Sequence, residues 1–148
     1  MELLIDSIGT ALLPRYVVET EVGRGPMAVV LLALDTTHDR PVAIKVLSPE
    51  LTDAIGVQRF QREIEVVAGL NPPNILPLHD SGEAGGVADS VMPYLASGSL
   101  RHRSEREGCL PQVDAVRIVR EIADAIGFAH RNGIIHRDVK PGNILLSE

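Results

Sequence analysis

The apolar residues of this chain change their spacing part-way along the sequence, and this change limits the fold more than any other feature. Three short apolar runs, separated by a glycine-containing turn and by a polar turn at residues 35–40, predict three antiparallel strands. The runs are Tyr16-Val17-Val18, residues 29–34 and residues 42–47. Residues 75–79 and 87–95 predict two further strands, with the turn-forming residues 81–86 between them.

Two other segments have helical spacing. The first predicts one amphipathic helix around residues 60–67, which Gly69 and Pro72-Pro73 end. The second predicts a longer helix between Pro111 and Gly133. Its apolar stripe consists of Val116, Val119, Ile122, Ala123, Ile126 and Ala129. Five strands with one helix, followed by a mainly helical segment, predict an α+β fold with a lobe boundary near residues 94–98.

Composition narrows the class of protein. A chain of 148 residues suits about one domain, and 45% hydrophobic with 23% charged residues is typical of a globular protein with a packed core. The net charge of −6 gives no basic surface for nucleic acid and no polybasic membrane patch. Cys109 is the single cysteine, which excludes an internal disulfide and favours a cytoplasmic location. Residues 1–6 lack the charge pattern of a signal peptide and are expected to be a short lead-in.

Residues 136–143 read His-Arg-Asp-Val-Lys-Pro-Gly-Asn, and this order is typical of phosphoryl-transfer chemistry. In such a loop the Asp accepts the proton of a substrate hydroxyl, and the Asn five residues later holds a magnesium ion. Here these residues are Asp138 and Asn143. A lone His or Asp is more often a core histidine or a turn carboxylate, but eight ordered positions disfavour that interpretation. The loop resembles the catalytic loop of protein kinases, and Lys140 followed by Pro141 resembles the serine/threonine branch.

Two upstream motifs fit the same chemistry. Residues 23–30 match G-x-G-x-x-G-x-V except that Ala28 replaces the third glycine, and by itself this match indicates no more than a hairpin turn. Residues 42–45 read Val-Ala-Ile-Lys, the strand whose lysine contacts the α- and β-phosphates. Glu63, in the helix that follows, is the expected partner of Lys45, although a single Glu on a helix is usually a solvated residue.

Across residues 16–146 the chain is similar to bacterial (Hanks-type) serine/threonine protein kinases. The resemblance implies an amino lobe at residues 16–95 and the start of a helical carboxyl lobe at residues 96–148. It implies ATP and Mg²⁺ as cofactors and a protein substrate with a Ser or Thr hydroxyl. It also implies catalytic roles for Lys45, Glu63, Asp138 and Lys140, magnesium binding by Asn143, and nucleotide contacts from Val22, Gly23, Gly25, Val30, Ala43, Met92, Leu95 and Leu145.

Several positions depart from the family pattern. They are Pro26 in the glycine turn, Leu31 in place of an aromatic residue, Pro72 in place of a histidine, and the polar pair Asp89-Ser90 in a strand expected to be buried. An Asp-Phe-Gly motif does not occur before Glu148, so we expect the chain as given to be inactive and to self-associate, recruit a partner or open locally. Two rival functions therefore stay open, a nucleotide-binding pseudokinase module and an inactive truncated product that acts by protein interaction.

Overall fold

The computed structural model describes residues 2–25, 28–48, 73–135 and 139–147. Its elements are α1 (Glu2–Leu12), β1 (Tyr16–Arg24), β2 (Ala28–Asp35), β3 (Arg40–Leu47), β4 (Asp80–Ala84), β5 (Val87–Pro93), α2 (Leu100–Glu107), α3 (Gln112–Arg131) and a 3₁₀ turn at Pro141–Asn143. The described residues divide into two compact units. The amino unit contains α1 and the five strands and ends at Tyr94, whereas the carboxyl unit begins at Leu95 and includes residues 73–76.

The five strands form one antiparallel sheet in the order β1-β2-β3-β5-β4. This confirms the predicted α+β class with a five-stranded antiparallel sheet. Strands β2 and β3 pair without interruption from Ala28 opposite Leu47 to Asp35 opposite Arg40. Both strands contain β-branched residues, which favour the pleated conformation: Val29 and Val30 in β2, and Val42, Ile44 and Val46 in β3. The helix predicted around residues 60–67 lies outside the described residues.

A buried cluster covers one face of this sheet. Burial in β2 alternates strictly, so that every second residue from Val29 to Asp35 faces the cluster, as the two-residue period of a strand requires. The cluster consists of Ile8, Tyr16, Val29, Leu31, Ala33, Val42, Ile44, Val46, Ala84, Val87 and Val91. Members from all five strands and from α1 contribute, so the cluster joins the whole amino unit.

The expectation that residues 1–6 form a short lead-in is wrong, because the chain begins with the helix α1. Ile8 of this helix is 1% exposed in the sheet cluster, and Ile5 and Leu12 pack against the same cluster. These three residues recur at intervals of three and four, which places them on one helical face. The first six residues alone are too short a window to show this period.

The expected strand at residues 75–79 is also wrong, since β4 runs from Asp80 to Ala84. Pro77 has no N–H to donate to a strand partner, which disfavours the earlier segment. Ladder pairing begins where the His79 N–H donates to the Val91 carbonyl at 2.7 Å. The hairpin then closes at Gly85 and Gly86, whose φ angles of 59° and 80° suit a two-residue turn between strands.

The turn between β2 and β3 is organised by Asp35, whose side chain is fully buried. Its carboxylate accepts hydrogen bonds from the backbone N–H groups of Thr37 and His38 at 3.1 and 3.4 Å. It also lies 3.0 Å from His38 Nδ1 and 3.3 Å from Arg40 Nε. Burial alone raises the pKa of Asp35, but the hydrogen bonds from His38 and Thr37 outweigh burial and lower it. The buried charge is therefore stabilised locally.

The carboxyl unit contains the predicted long helix as α3, and its buried residues are Ile118, Ala125 and Ala129. Val116 and Val119 of the predicted apolar stripe lie on the exposed side instead. Helix α2 was not predicted, because its sequence is almost entirely polar and has no buried residue. No helix in the described ranges is long and apolar enough to cross a membrane.

We predict that Ile8→Ala lowers the free energy of unfolding by about 2–5 kcal/mol, since it deletes a fully buried aliphatic side chain and leaves a cavity under α1. Denaturant titration followed by circular dichroism measures this change. Leu13→Ala is the matched control, because Leu13 is 53% exposed and its truncation should cost far less. Equal losses in the two variants would show that α1 does not depend on Ile8.

Candidate functional site

The side chain of Lys45 lies in a row of residues that crosses all five strands. Lys45 of β3 is opposite Val30 of β2 and Ser90 of β5. Gly23 is in turn opposite Val30, and Ser81 is opposite Ser90. Directly opposite residues of antiparallel strands share a face, so the register places these five residues side by side. This face is the one opposite to the buried cluster.

A second row on the same face is apolar. Ala43, two residues before Lys45, is opposite Leu32 and Met92. Ala43 is almost fully buried, whereas Leu32 and Met92 are partly exposed. A small residue between two larger ones leaves a shallow apolar surface beside the Lys45 cation. Such a surface can pack against a flat ring while the ammonium group binds an attached anion.

The glycine turn lies at one end of these rows. The Gly25 N–H donates to the Ala28 carbonyl at 2.9 Å and closes the turn between β1 and β2. A Cβ at Gly23 would lie 3.8 Å from the Val30 Cβ, so the missing side chain leaves Val30 accessible from the β1 side. Glycines of this kind let backbone N–H groups approach an anion closely. Pro26, which departs from the family pattern in this turn, lies outside the described residues.

The strand β1 is irregular next to the turn. Its register with β2 shifts between Glu21 and Gly23, which leaves Val22 without a paired residue and more than a third exposed. On the turn itself, Arg24 donates to Glu21 from Nε at 2.6 Å and from Nη2 at 2.9 Å. This two-point contact lowers the pKa of the Glu21 carboxyl.

In the carboxyl unit, the predicted loop residues Lys140 and Asn143 are ordered by a 3₁₀ turn. The Asn143 N–H donates to the Lys140 carbonyl at 2.9 Å, and both side chains are exposed. The next residues form a short bridge: the Leu100 N–H donates to the Ile144 carbonyl at 2.8 Å, and the Leu146 N–H donates to the Gly98 carbonyl at 2.9 Å. The segment around Leu145 is therefore fixed to the start of α2.

Ser99 connects this bridge to α2. It is 5% exposed, and its hydroxyl caps the helix by accepting the His102 N–H at 3.3 Å. Gly98 before it has φ 76°, and a Cβ there would come 3.0 Å from the His102 Nδ1. The positive φ therefore favours glycine at position 98, and a side chain there would also displace the His102 ring.

The polar pair Asp89-Ser90 is buried, as predicted, at 5% and 1% exposure. Burial and the nearby negative charge of Asp80 raise the pKa of Asp89 to about 6. No buried side-chain nitrogen or oxygen of the described residues lacks a hydrogen-bond partner. The departure from the family pattern is thus accommodated within the sheet. Ser81, beside Ser90 in the Lys45 row, was not singled out from the sequence, since nothing in its spacing marks it.

The predicted site residues fall in three groups. The amino unit holds Val22, Gly23, Gly25, Val30, Ala43, Lys45 and Met92, with the last four on one face of the sheet. The carboxyl unit holds Leu95, Lys140, Asn143 and Leu145. Glu63 and Asp138 lie outside the described residues. Within the described ranges, no three His, Cys, Asp or Glu side chains form a metal-binding group.

A family model described as "Protein kinase domain" matches residues 16–148, nine-tenths of the chain. The chain belongs to the protein kinase family. It is 41% identical to a probable serine/threonine-protein kinase PknB of Bifidobacterium longum, over 90% of this chain and 21% of that protein. It is 39% identical to the serine/threonine-protein kinase PrkC of Bacillus subtilis, over 94% of this chain and 22% of that protein. The chain thus spans about a fifth of these kinases.

Solved kinase structures agree with the fold. The kinase domain of Mycobacterium tuberculosis PknI matches with a TM-score of 0.76 at 36% identity, over 88% of this chain and 53% of that chain. Rad53 in complex with AMP-PNP matches with a TM-score of 0.80 at 29% identity, over 99% of this chain and 38% of that chain. The chain therefore spans about half of the PknI kinase domain.

We predict that Ser99→Ala destabilises α2 and the bridge to residues 144–146 by about 1 kcal/mol, since it removes the helix cap. Hydrogen exchange at Leu100, His102 and Leu146 measures the change. Ser104→Ala is the matched control within the same helix, where alanine is as good a helix former or better. Faster exchange in the control than in Ser99→Ala would contradict the capping role.

Proposed function

We propose that this chain supplies the nucleotide-binding lobe and the catalytic loop of a protein serine/threonine kinase, which transfers the γ-phosphate of ATP to a Ser or Thr hydroxyl. The observation that carries the proposal is the position of Lys45 between Val30 and Ser90, beside the apolar surface of Ala43 and Met92. The amino lobe would comprise residues 16–95, and residues 96–148 would begin the carboxyl lobe.

The described residues fit a bound nucleotide. The adenine ring would pack against the apolar residues Val22, Val30 and Ala43, next to Met92, with Leu145 on the carboxyl-lobe side. The backbone of Leu95 would bind the edge of the ring. Lys45 would bind the α- and β-phosphates, and the backbone at Gly23 and Gly25 would lie over them. The space that Gly23 leaves beside Val30 and the partial exposure of Lys45 support this placement.

The catalytic roles follow the loop sequence. Asp138 would accept or orient the proton of the substrate hydroxyl, Lys140 would neutralise charge on the transferred phosphate, and Glu63 would hold Lys45 in place. A magnesium ion supplies charge neutralisation when bound, and the amide oxygen of Asn143 is a suitable ligand for this hard cation. The ordered 3₁₀ turn fixes the backbone between Lys140 and Asn143, which supports a constant spacing of the two groups.

The proposal includes a protein substrate, a cytoplasmic location and self-association of the chain. A single cysteine, exposed at position 109, suits a reducing compartment. The exposed side chains of Val113, Val116 and Val119 on α3 give an apolar surface that supports self-association.

We predict that Lys45→Ala weakens binding of ATP with Mg²⁺ by at least about tenfold, equal to about 1.4 kcal/mol, because it removes the phosphate-binding cation. The measurement is the nucleotide-dependent shift in Tm of residues 1–148. Glu63→Ala should have a similar effect. Arg120→Ala is the matched control, since it removes one exposed positive charge from α3. An unchanged shift in both Lys45→Ala and Glu63→Ala would place the nucleotide elsewhere.

We predict that Asp138→Asn lowers phosphoryl transfer by about 10²–10⁴-fold while nucleotide binding stays nearly intact, since the substitution keeps shape and removes the proton-accepting charge. Because the chain spans about half of the PknI kinase domain, the assay uses a chimaera in which residues 1–148 are joined to the remaining part of the PknI kinase domain. Asp124→Asn, an exposed position on α3, is the control for the loss of a carboxylate. Transfer by Asp138→Asn at the parental rate would rule out the assigned role.

A further inference from the structure

Helix α1 contacts both edges of the sheet. Strands β1 and β4 are the outermost strands in the sheet order, and α1 packs against each of them. The twist of an antiparallel sheet brings its edges closer to a helix that packs across one face. Ile8 is buried at this position, while Gly9 lies beside Val18 of β1 and Ser7 lies beside Gly85 after β4.

One carboxylate joins the two edges directly. Asp80 Oδ2, at the start of β4, lies 3.2 Å from Arg15 Nη1 and accepts a hydrogen bond from the Tyr16 hydroxyl at 3.2 Å. Arg15 and Tyr16 lie at the start of β1, and only Leu13 and Pro14 separate them from α1. Asp80 in β4 therefore binds the residues that follow α1, at the opposite edge of the sheet. Arg15 also stacks on the Tyr16 ring, with 5.2 Å to the ring centroid.

A second carboxylate, nearly buried, lies diagonally across from Asp80 in the β4–β5 register. Asp89 of β5 is opposite Gly82 of β4 and Val46 of β3. A Cβ at Gly82 would lie 3.7 Å from Asp89 Oδ2, so the glycine provides the space that the carboxylate occupies. Val46 and Val87 on this face belong to the buried cluster of Ile8. The Asp89 carboxylate thus borders the core that α1 covers.

The charged groups around Asp89 can be named element by element. Strand β4 contributes Asp80, and the start of β1 contributes Arg15 and the Tyr16 hydroxyl, both of which bind Asp80. Strand β3 contributes the apolar Val46 on this face. Helix α1 faces the cluster with Ile5, Ile8 and Leu12, and its Asp6 is exposed. Of the described charges, the negative charge of Asp80 is the one that acts on Asp89.

We propose that Asp89 is a proton-dependent switch for the attachment of α1. When Asp89 is protonated, Asp80 keeps Arg15 and Tyr16 bound, and α1 stays packed. When Asp89 ionises, the carboxylates of Asp89 and Asp80 repel each other, and α1 loosens. The burial of Asp89 beside Asp80, at the point where Asp80 joins the two sheet edges, is the geometric basis. Burying a neutral carboxyl group beside the apolar cluster costs less free energy than burying a second negative charge there.

The direction of the pH effect follows from the shifted pKa. Burial and the charge of Asp80 raise the pKa of Asp89 from 3.8 to about 6. A group whose folded pKa is raised in this way favours the folded state while it is protonated, so its contribution is lost as pH rises from about 4 to above 6. At about pH 7.5 α1 is loosened, and acidification to about pH 5 tightens it.

The test is hydrogen exchange of residues 1–148 at about pH 5 and about pH 7.5, corrected for the intrinsic pH dependence of amide exchange. For wild type we expect protection of α1 amides to fall about tenfold at the higher pH, the ratio that pKa values of 3.8 and about 6 give. Asp89→Asn should keep α1 protection equal at both pH values. Asp124→Asn, in the other unit, is the matched control and should retain the tenfold fall.

Two outcomes would overturn the proposal. One is α1 protection in wild type that does not change with pH, and the other is the same fall in Asp89→Asn as in wild type. If Asp89→Asn does not fold, carbon NMR of the Asp89 carboxyl in wild type decides. A titration midpoint near 6 supports the switch, and a midpoint near 4 overturns it.

Discussion

The register of β3 between β2 and β5 determines where the proposed nucleotide-binding residues of the amino unit lie. Val42 and Ile44 are fully buried on one face, and this burial fixes which residues face the other side. A slip of one residue would bury the Lys45 ammonium and expose Ile44. The same register brings Val30 and Ser90 beside Lys45. The packing of apolar residues on one face of the sheet thus determines which side chains lie on the other face.

The carboxyl unit positions its proposed site residues differently, through hydrogen bonds of the backbone. The bridge between Ser99 and Leu145 fixes the segment after Asn143, and the Ser99 cap joins that bridge to α2. Lys140 and Asn143 are exposed, so packing does not fix their positions. Their spacing depends instead on the 3₁₀ turn and the bridge. A loop built in this way keeps its side chains accessible while its backbone is fixed.

Sequence predicted those elements whose pattern is local and strongly periodic, such as β2, β3 and α3. The prediction from sequence was wrong where a segment was compatible with more than one local structure. Residues 75–79 are apolar enough for a strand, yet pairing begins only at the His79 N–H, because the turn at Gly85 and Gly86 fixes the register from the other end. Site residues such as Lys45 were predicted from motif order, whereas the contact of Arg15 and Tyr16 with Asp80 was not, because sixty-four positions separate Tyr16 from Asp80.

The adjacent residues Asp89 and Ser90 lie on opposite faces of the sheet. Ser90 lies beside Lys45 on the face proposed to bind nucleotide, while Asp89 lies beside Val46 on the face that carries the buried cluster. The alternation of side chains along β5 thus puts one polar residue on each face, so that Asp89 and Ser90 contact different groups although they are adjacent in sequence.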